Sequence, residues 1–548
     1  MSFSPWFAII LTSHFGLLAC RHEPHREKSR HSSAQTIATG SARVGEGSAR
    51  VDSATNPPID AGDEGSASAL ANNDSEQAAM PEWSDEALAK RVPNTDGPRY
   101  YAKNRHVWIY PEPNIALQWI GFLWTGGSVR LKRTRPIYGP GCTFYYEILP
   151  WGYVCTDGNR GTIDPDDPVY RQLLRYAPRT DSPWPHRYGK ASPLTRYFSF
   201  PAIAANRKLD AGRDPSNDEI IDFHALSPSV HEAHTSLIDR STVAYTAETR
   251  HDGQDWLLTS DYALIPKQKV TPYSPSQFRG VHLTNDISLP IAFFRGNDRP
   301  RYALSTPDKM ESAGKPYARL SWVKLTGQHK RLEDLDWLET SDGGWVKASD
   351  ATVPTPSALT PWGTPVGDST QAASSSTAPA APVASSPTAR TPATPTPATP
   401  RGRATWIEVS IVGGWLIAYE GGRPVFTTLI SPGSGGLPRK GQAAIDTFST
   451  PLGRFQINGK FVSSTMIGPT GLIHSEVPYA QNFADLYAIH TAYWHDNWGY
   501  PMSGGCVNVS PIDGFFLFHW TEPMIPEGWY GVRWIPSKEP STTVIIHR

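Results

Sequence analysis

Apolar positions along the chain fall in short runs rich in Val, Ile, Tyr and Trp, each stopped by Gly, Pro, Asn or Asp. Examples are Val107–Tyr110 (VWIY), Phe144–Leu149 (FYYEIL), Thr405–Ile411 (TWIEVSI) and Gly414–Glu420 (GWLIAYE). Such runs suit a pleated, half-buried surface and their stops supply turns, so the pattern predicts small β-rich domains and few long helices. Two stretches lack it. From about Ser29 to Met80 the residues are mainly Ser, Ala, Gly and Asp, and from Pro354 to Arg403 mainly Pro, Ala, Ser and Thr. Neither can bury enough apolar surface to offset its ordering entropy, so both are expected to be disordered. The proline spacing of the second gives an extended spacer reaching on the order of 100 Å, at about 3.1 Å per residue. These breaks predict a leader at 1–20, a tether at 21–95, a β domain at 100–160, one or two further small β units at 161–353, a linker at 354–403 and a last, mostly β domain at 404–540.

Composition narrows the class. A chain of 548 residues exceeds one core, and a formal net charge of −1 leaves no electrostatic footprint for nucleic acid. Pro5–Ala19 is apolar, but it is too short, and too interrupted by Ser13 and His14, to span a bilayer. It ends Leu17-Leu18-Ala19-Cys20, which resembles the lipobox of bacterial lipoproteins. That resemblance implies export, lipidation of Cys20 and a membrane anchor; a plain cleaved secretory signal is the alternative. Cysteine use fits an exported chain, with only Cys20, Cys142, Cys155 and Cys506 present. If Cys20 carries lipid and Cys506 has a chemical role, Cys142 and Cys155 remain. They flank two apolar runs broken by Pro150 and Gly152, so a hairpin could join them as a disulfide, the alternative being two buried thiols. Closing so short a loop is worth roughly 3 kcal/mol in the chain-entropy account.

Chemistry concentrates in Ala488–Trp520 (AIHTAYWHDNWGYPMSGGCVNVSPIDGFFLFHW). Cys506 closes a Gly-Gly-Cys turn, with His490 and His495 within seventeen residues upstream. A thiol must lose its proton to attack a carbonyl, and an imidazole removes it well near neutral pH. Backbone N–H groups of a Gly-rich turn can face a developing oxyanion. A zinc site is poorly served by two histidines four apart, one distant cysteine and no fourth ligand, so neither metal nor cofactor is expected. Tyr493, Trp494, Trp498 and Trp520 are candidates for a substrate groove or for core. His474, Glu476 and Asp485 receive no role.

The pair His490-Thr491, the run Ser503-Gly504-Gly505-Cys506-Val507-Asn508 and the upstream Thr450-Pro451-Leu452-Gly453-Arg454-Phe455 together resemble the signature of YkuD-type L,D-transpeptidases. The similarity covers about Thr405 to Trp534. It implies a mostly β catalytic domain in which Cys506 is the nucleophile and His490 the base. The Thr491 carbonyl would orient the imidazole, the N–H groups of Gly505 and Cys506 would line the oxyanion hole, and Ser503 and Asn508 would support the turn. Gly504 stands where the family usually has a second histidine. His495 is the candidate substitute, and a weakly active or purely wall-binding homologue is the competing reading. The implied partners are peptidoglycan stem peptides, with another stem, a protein or water as acceptor, in the periplasm or cell envelope. The segment from VWIYPEPN to FYYEILPWGYVCTDG resembles a bacterial SH3-like domain, which implies a small β-barrel. Trp256–Asp261 (WLLTSD) is echoed by Trp337–Asp342 (WLETSD) with five of six residues identical, so small β units are duplicated. They could grip the wall or only space the enzyme.

Overall fold

The computed structural model describes residues 85–197, 236–367, 403–468 and 471–548, all within one compact unit. The leader with Cys20, the tether as far as residue 84 and residues 368–402 of the linker lie outside the described residues. What is described is mostly β, as the run pattern predicts.

In the first unit, β1 (Val107–Tyr110), β2 (Gly121–Leu123), β3 (Cys142–Glu147) and β4 (Tyr153–Thr156) pair antiparallel in the order β2-β1-β4-β3. Alternation in β1 buries Val107 and Ile109 against Leu123 and Val154, while Trp108 and Tyr110 stay half-buried. The β3–β4 hairpin brings the Cα atoms of Cys142 and Cys155 to 5.9 Å, and a disulfide joins them.

The second unit is built on β5 (Thr242–His251), β6 (Gln254–Thr259) and β7 (Leu264–Pro266). A strap carrying β8 (Val281–His282) leads to the third, built on β9 (Trp322–Leu332), β10 (Leu335–Thr340) and β11 (Trp345–Lys347). The echoed hexapeptides occupy the same place in both. Each enters the second strand of a hairpin, with Thr249 opposite Trp256 in one and Lys330 opposite Trp337 in the other. The repeated Thr-Ser-Asp then makes the turn: Thr259 Oγ1 donates to Asp261 at 2.7 Å, and Thr340 Oγ1 to Asp342 at 2.6 Å. This explains why those residue types recur.

The C-terminal domain has two sheets. β12 (Thr405–Ser410), β13 (Trp415–Glu420), β14 (Arg423–Leu429), β15 (Gly453–Gln456) and, near the end, β21 (Thr543–His547) belong to a six-stranded sheet. Its order is β8-β14-β13-β12-β21-β15, so the strap from the auxiliary part supplies one edge strand. β16 (Gly459–Ile467), β17 (Ile473–Ala484), β18 (Tyr487–Thr491), β19 (Val507–Val509) and β20 (Gly531–Arg533) form the other. Here too the edges are taken: β17 meets β5 at Thr242–His474, and β20 meets β2 at Gly121–Val532 and Phe122–Gly531. Exposed edges invite wrong pairing, and at these three places the upstream chain covers the domain's strands.

A buried charge cluster marks the junction of three parts. Arg105 pairs with Glu476 of β17 and lies 3.9 Å from Asp261, which Arg196 also pairs. Burial pushes the Asp261 carboxyl up, but the Arg196 and Arg105 guanidiniums outweigh it and hold it at about 2.

Three boundaries differ from those read in composition. Within the tether, Asp85–Ala89 is a short helix whose Leu88 packs against Leu173 and Trp256. Within the linker, Ser357 donates its N–H to buried Glu408 at 3.1 Å, and Trp362 and Val366 cover Trp406, Ile417 and Tyr419. One or two apolar anchors suffice to dock segments whose average composition is that of a coil. The last domain also runs past residue 540, because Val544 and Ile546 of β21 are core residues.

Candidate active site

β18 and β19 run parallel and adjacent, with Ile489 opposite Val507, His490 opposite Asn508 and Thr491 opposite Val509. Residues two apart on a strand share a face. The register therefore brings Cys506, one residue before β19, to the face that carries His490 and Asn508. Cys506 packs with Ala488 of β18 and with Val477 and Met466. Behind the strands lies the helix Pro511–Trp520, capped by Ser510, whose Oγ accepts the Asp513 N–H at 3.1 Å. Gly514 lets it approach: an added β-carbon would lie 2.2 Å from Thr491 Cγ2.

His490 is buried, with Nδ1 2.8 Å from the Thr491 carbonyl. A carbonyl only accepts, so Nδ1 carries the proton and Nε2 the lone pair. Burial pushes the imidazole down to about 4, only partly opposed by that hydrogen bond. His490 is thus neutral around pH 7, the state a base requires.

The turn presenting Cys506 is braced from several sides. Ser503 Oγ donates to the Cys506 carbonyl at 2.5 Å and accepts the Gly505 N–H at 3.1 Å. Ser434 N–H donates to Ser503 O at 2.8 Å, and Gly433 N–H to Thr450 Oγ1 at 2.9 Å, so the Thr-Pro-x-Gly-x-Phe segment buttresses the turn. Gly505 has φ 131°, and a β-carbon there would lie 2.8 Å from Tyr487 Cε1 and 3.0 Å from Ser449 O. Gly505→Ala is expected to cost about 1–3 kcal/mol, read as a lowered melting temperature; an unchanged melt would contradict the strain.

Residues 404–546 match the family described as L,D-transpeptidase catalytic domain, YkuD. This part of the chain is a YkuD L,D-transpeptidase domain. Solved structures that align with the chain include an Enterococcus faecium L,D-transpeptidase mutant, at 23% identity over 26% of this chain and 50% of that one, TM-score 0.20. The L,D-transpeptidase of Mycobacterium smegmatis aligns at 18% identity over 27% and 60%, TM-score 0.21, and that of Xylanimonas cellulosilytica at 25% over 27% and 63%, TM-score 0.18. The chain thus spans from half to 63% of the length of these structures. No curated protein matches it.

Within the transpeptidase domain, two expectations from the signature change. The Gly505 N–H is turned onto Ser503 Oγ, so in this conformation it does not face an oxyanion. His495 joins the site through Asn508. Asn497 N–H donates to His495 Nδ1 at 3.3 Å, so Nε2 carries the ring proton, and the Asn508 carboxamide sits 3.3 Å from it. A ring N–H needs an acceptor, which assigns the carboxamide oxygen to face His495. Gly504 is not among the glycines with positive φ, so the backbone there does not itself demand glycine. Of the four aromatic groove candidates, Tyr493, Trp498 and Trp520 are buried core residues. Trp494 is half-buried, stacks on His474 at 4.2 Å and lies 6.1 Å from the His490 ring. His474, given no role by the sequence, therefore sits beside the ring that reaches His490, and only partners distant in sequence reveal it.

Proposed function

We propose that the chain is an exported peptidoglycan L,D-transpeptidase with the Cys506 thiol as nucleophile. The observation that carries the reading is the parallel β18–β19 register, which sets Cys506 on the face of His490, whose Nδ1–H is committed to the Thr491 carbonyl. His490 Nε2 takes the thiol proton as Sγ attacks the carbonyl carbon of the diamino-acid residue in a tetrapeptide stem. The peptide C–N bond breaks, D-alanine leaves with the proton returned by His490, and a thioester remains. An acceptor amine on another stem or on a protein then displaces Sγ; with water as acceptor the enzyme is a carboxypeptidase or endopeptidase. Thr491, Ser503 and Asn508 act by holding the base and the turn. The auxiliary units are read as SH3-like modules, and Cys20 as the lipid anchor that keeps the enzyme in the envelope. Gly504 favours a second reading, a weakly active homologue that mainly holds the wall. Incubation of the full-length protein with disaccharide-tetrapeptide, followed by mass analysis, is expected to show loss of D-alanine and either a cross-linked or a hydrolysed product. An unchanged tetrapeptide would favour the second reading.

A further inference from the structure

The loop between the two central residues, Ala492–Pro501, is held largely by the auxiliary units. Tyr493 stacks on Tyr188 at 3.9 Å, and its hydroxyl lies 2.5 Å from Thr242 Oγ1, both in the second unit. Asp496 is a hub for the strap and the third unit. Its carboxylate accepts from Ser276 Oγ at 2.7 Å and from Trp498 Nε1 at 2.6 Å, and pairs with Arg319 at 3.2 Å. Arg319 also donates to the Asp496 carbonyl, and Arg295 to that of Gly499. Trp498 is fully buried against Phe278 and Phe293. Between these two clamps lie only Trp494 and His495, the pair that reaches His474, His490 and Asn508.

Resting on the reading above, we propose that Arg319 and Asp496 are positioning residues for acyl transfer: the third β unit seats Trp494 and His495 beside His490 and Asn508, and so sets the rate at which Cys506 is acylated. Reaction rates respond steeply to such placement, because a misplacement of about 1 Å costs on the order of a hundredfold. The Arg319–Asp496 pair is half-exposed, so little global stability rests on it. Its effect on rate and its effect on folding are thereby separable.

The test uses the full-length protein with its Cys142–Cys155 bridge intact. Acylation by a carbapenem is followed by mass, alkylation of Cys506 by iodoacetamide reports the thiol alone, and a melt reports the fold. Arg319→Ala is expected to slow acylation about tenfold to a hundredfold, with alkylation and melt unchanged, and Arg319→Lys to recover part of the rate. Arg301→Ala, which removes a pair with Asp342 inside the third unit, is the control and should acylate like wild type. Wild-type acylation by Arg319→Ala would overturn the proposal, as would a loss shared equally by Arg301→Ala and accompanied by a lowered melt. Absence of Cys506-dependent acylation in the wild-type protein would instead overturn the transpeptidase reading itself, and the clamp's role with it.

Discussion

Cys506→Ala in the full-length protein is expected to form no carbapenem adduct and to release no D-alanine from a tetrapeptide. Neither of the other two cysteines among the described residues can stand in. Cys142 and Cys155 are bonded to each other in the first unit, on strands remote from β18 and β19 in the sheet order. The fold should survive, because removing one sulfur from the cluster around Ala488 and Met466 leaves a small void costing on the order of 1 kcal/mol. Intact-mass spectra with and without carbapenem, alongside thermal melts, check both halves. An adduct on the variant at the wild-type rate would remove Cys506 from the mechanism, whatever the family of the domain.

His490→Ala should lower the acylation rate at pH 7 by about 10²–10⁴-fold, the usual worth of a positioned base. The variant's rate should climb as pH approaches the ordinary thiol range near ~8.5, where Cys506 ionises unaided. In the wild type His490 titrates near 4, so the base is neutral at pH 7 and the rate should fall only as pH drops toward that value. Stability follows the same group. Its folded value lies below the unfolded one of about 6.5, so the unfolded chain binds the extra proton. The contribution is fully present above about 6.5 and is lost as pH falls from there toward about 4. Buried His186, pushed down to about 3 by burial and by Arg105 and Arg91, adds a second loss in the same direction. The melting temperature of His490→Ala should therefore fall less steeply with acid than that of wild type. Parallel acid profiles for the two proteins would count against a buried neutral His490.

The transpeptidase domain was legible because its signature is local. His490, Thr491, Ser503, Cys506 and Asn508 lie in one short stretch, and a parallel strand pair gathers them. The β character was legible for the same reason: alternation in Val107–Tyr110 and the Gly and Pro stops are properties of neighbours along the chain. Partnerships across the chain left no such mark. Nothing near Arg319 names Asp496, 177 residues away, and nothing near Glu476 names Arg105. A lone charged residue has the same appearance in sequence whether it is solvated or paired. Composition misled where a few anchors outweigh an average, as with Trp362 in a Pro- and Thr-rich segment and Leu88 after a polar one. Aromatic density near Cys506 was equally ambiguous, since a groove wall and a core draw on the same residues. Only placement separates half-exposed Trp494 from fully buried Trp498.

The position of β21 has a consequence for timing. This strand runs parallel to β12 and antiparallel to β15, so it sits inside the six-stranded sheet, with Val544 and Ile546 in its core. A polypeptide made from its amino end completes the three auxiliary units first, and β12 then waits for a neighbour that is synthesised more than a hundred positions later. Until Thr543–His547 arrives, β12 and β15 lack the strand that joins them. On the reading proposed above, a chain that stops short of β21 is expected to form no carbapenem adduct, because the sheet that holds Val544 and Ile546 in the core stays open.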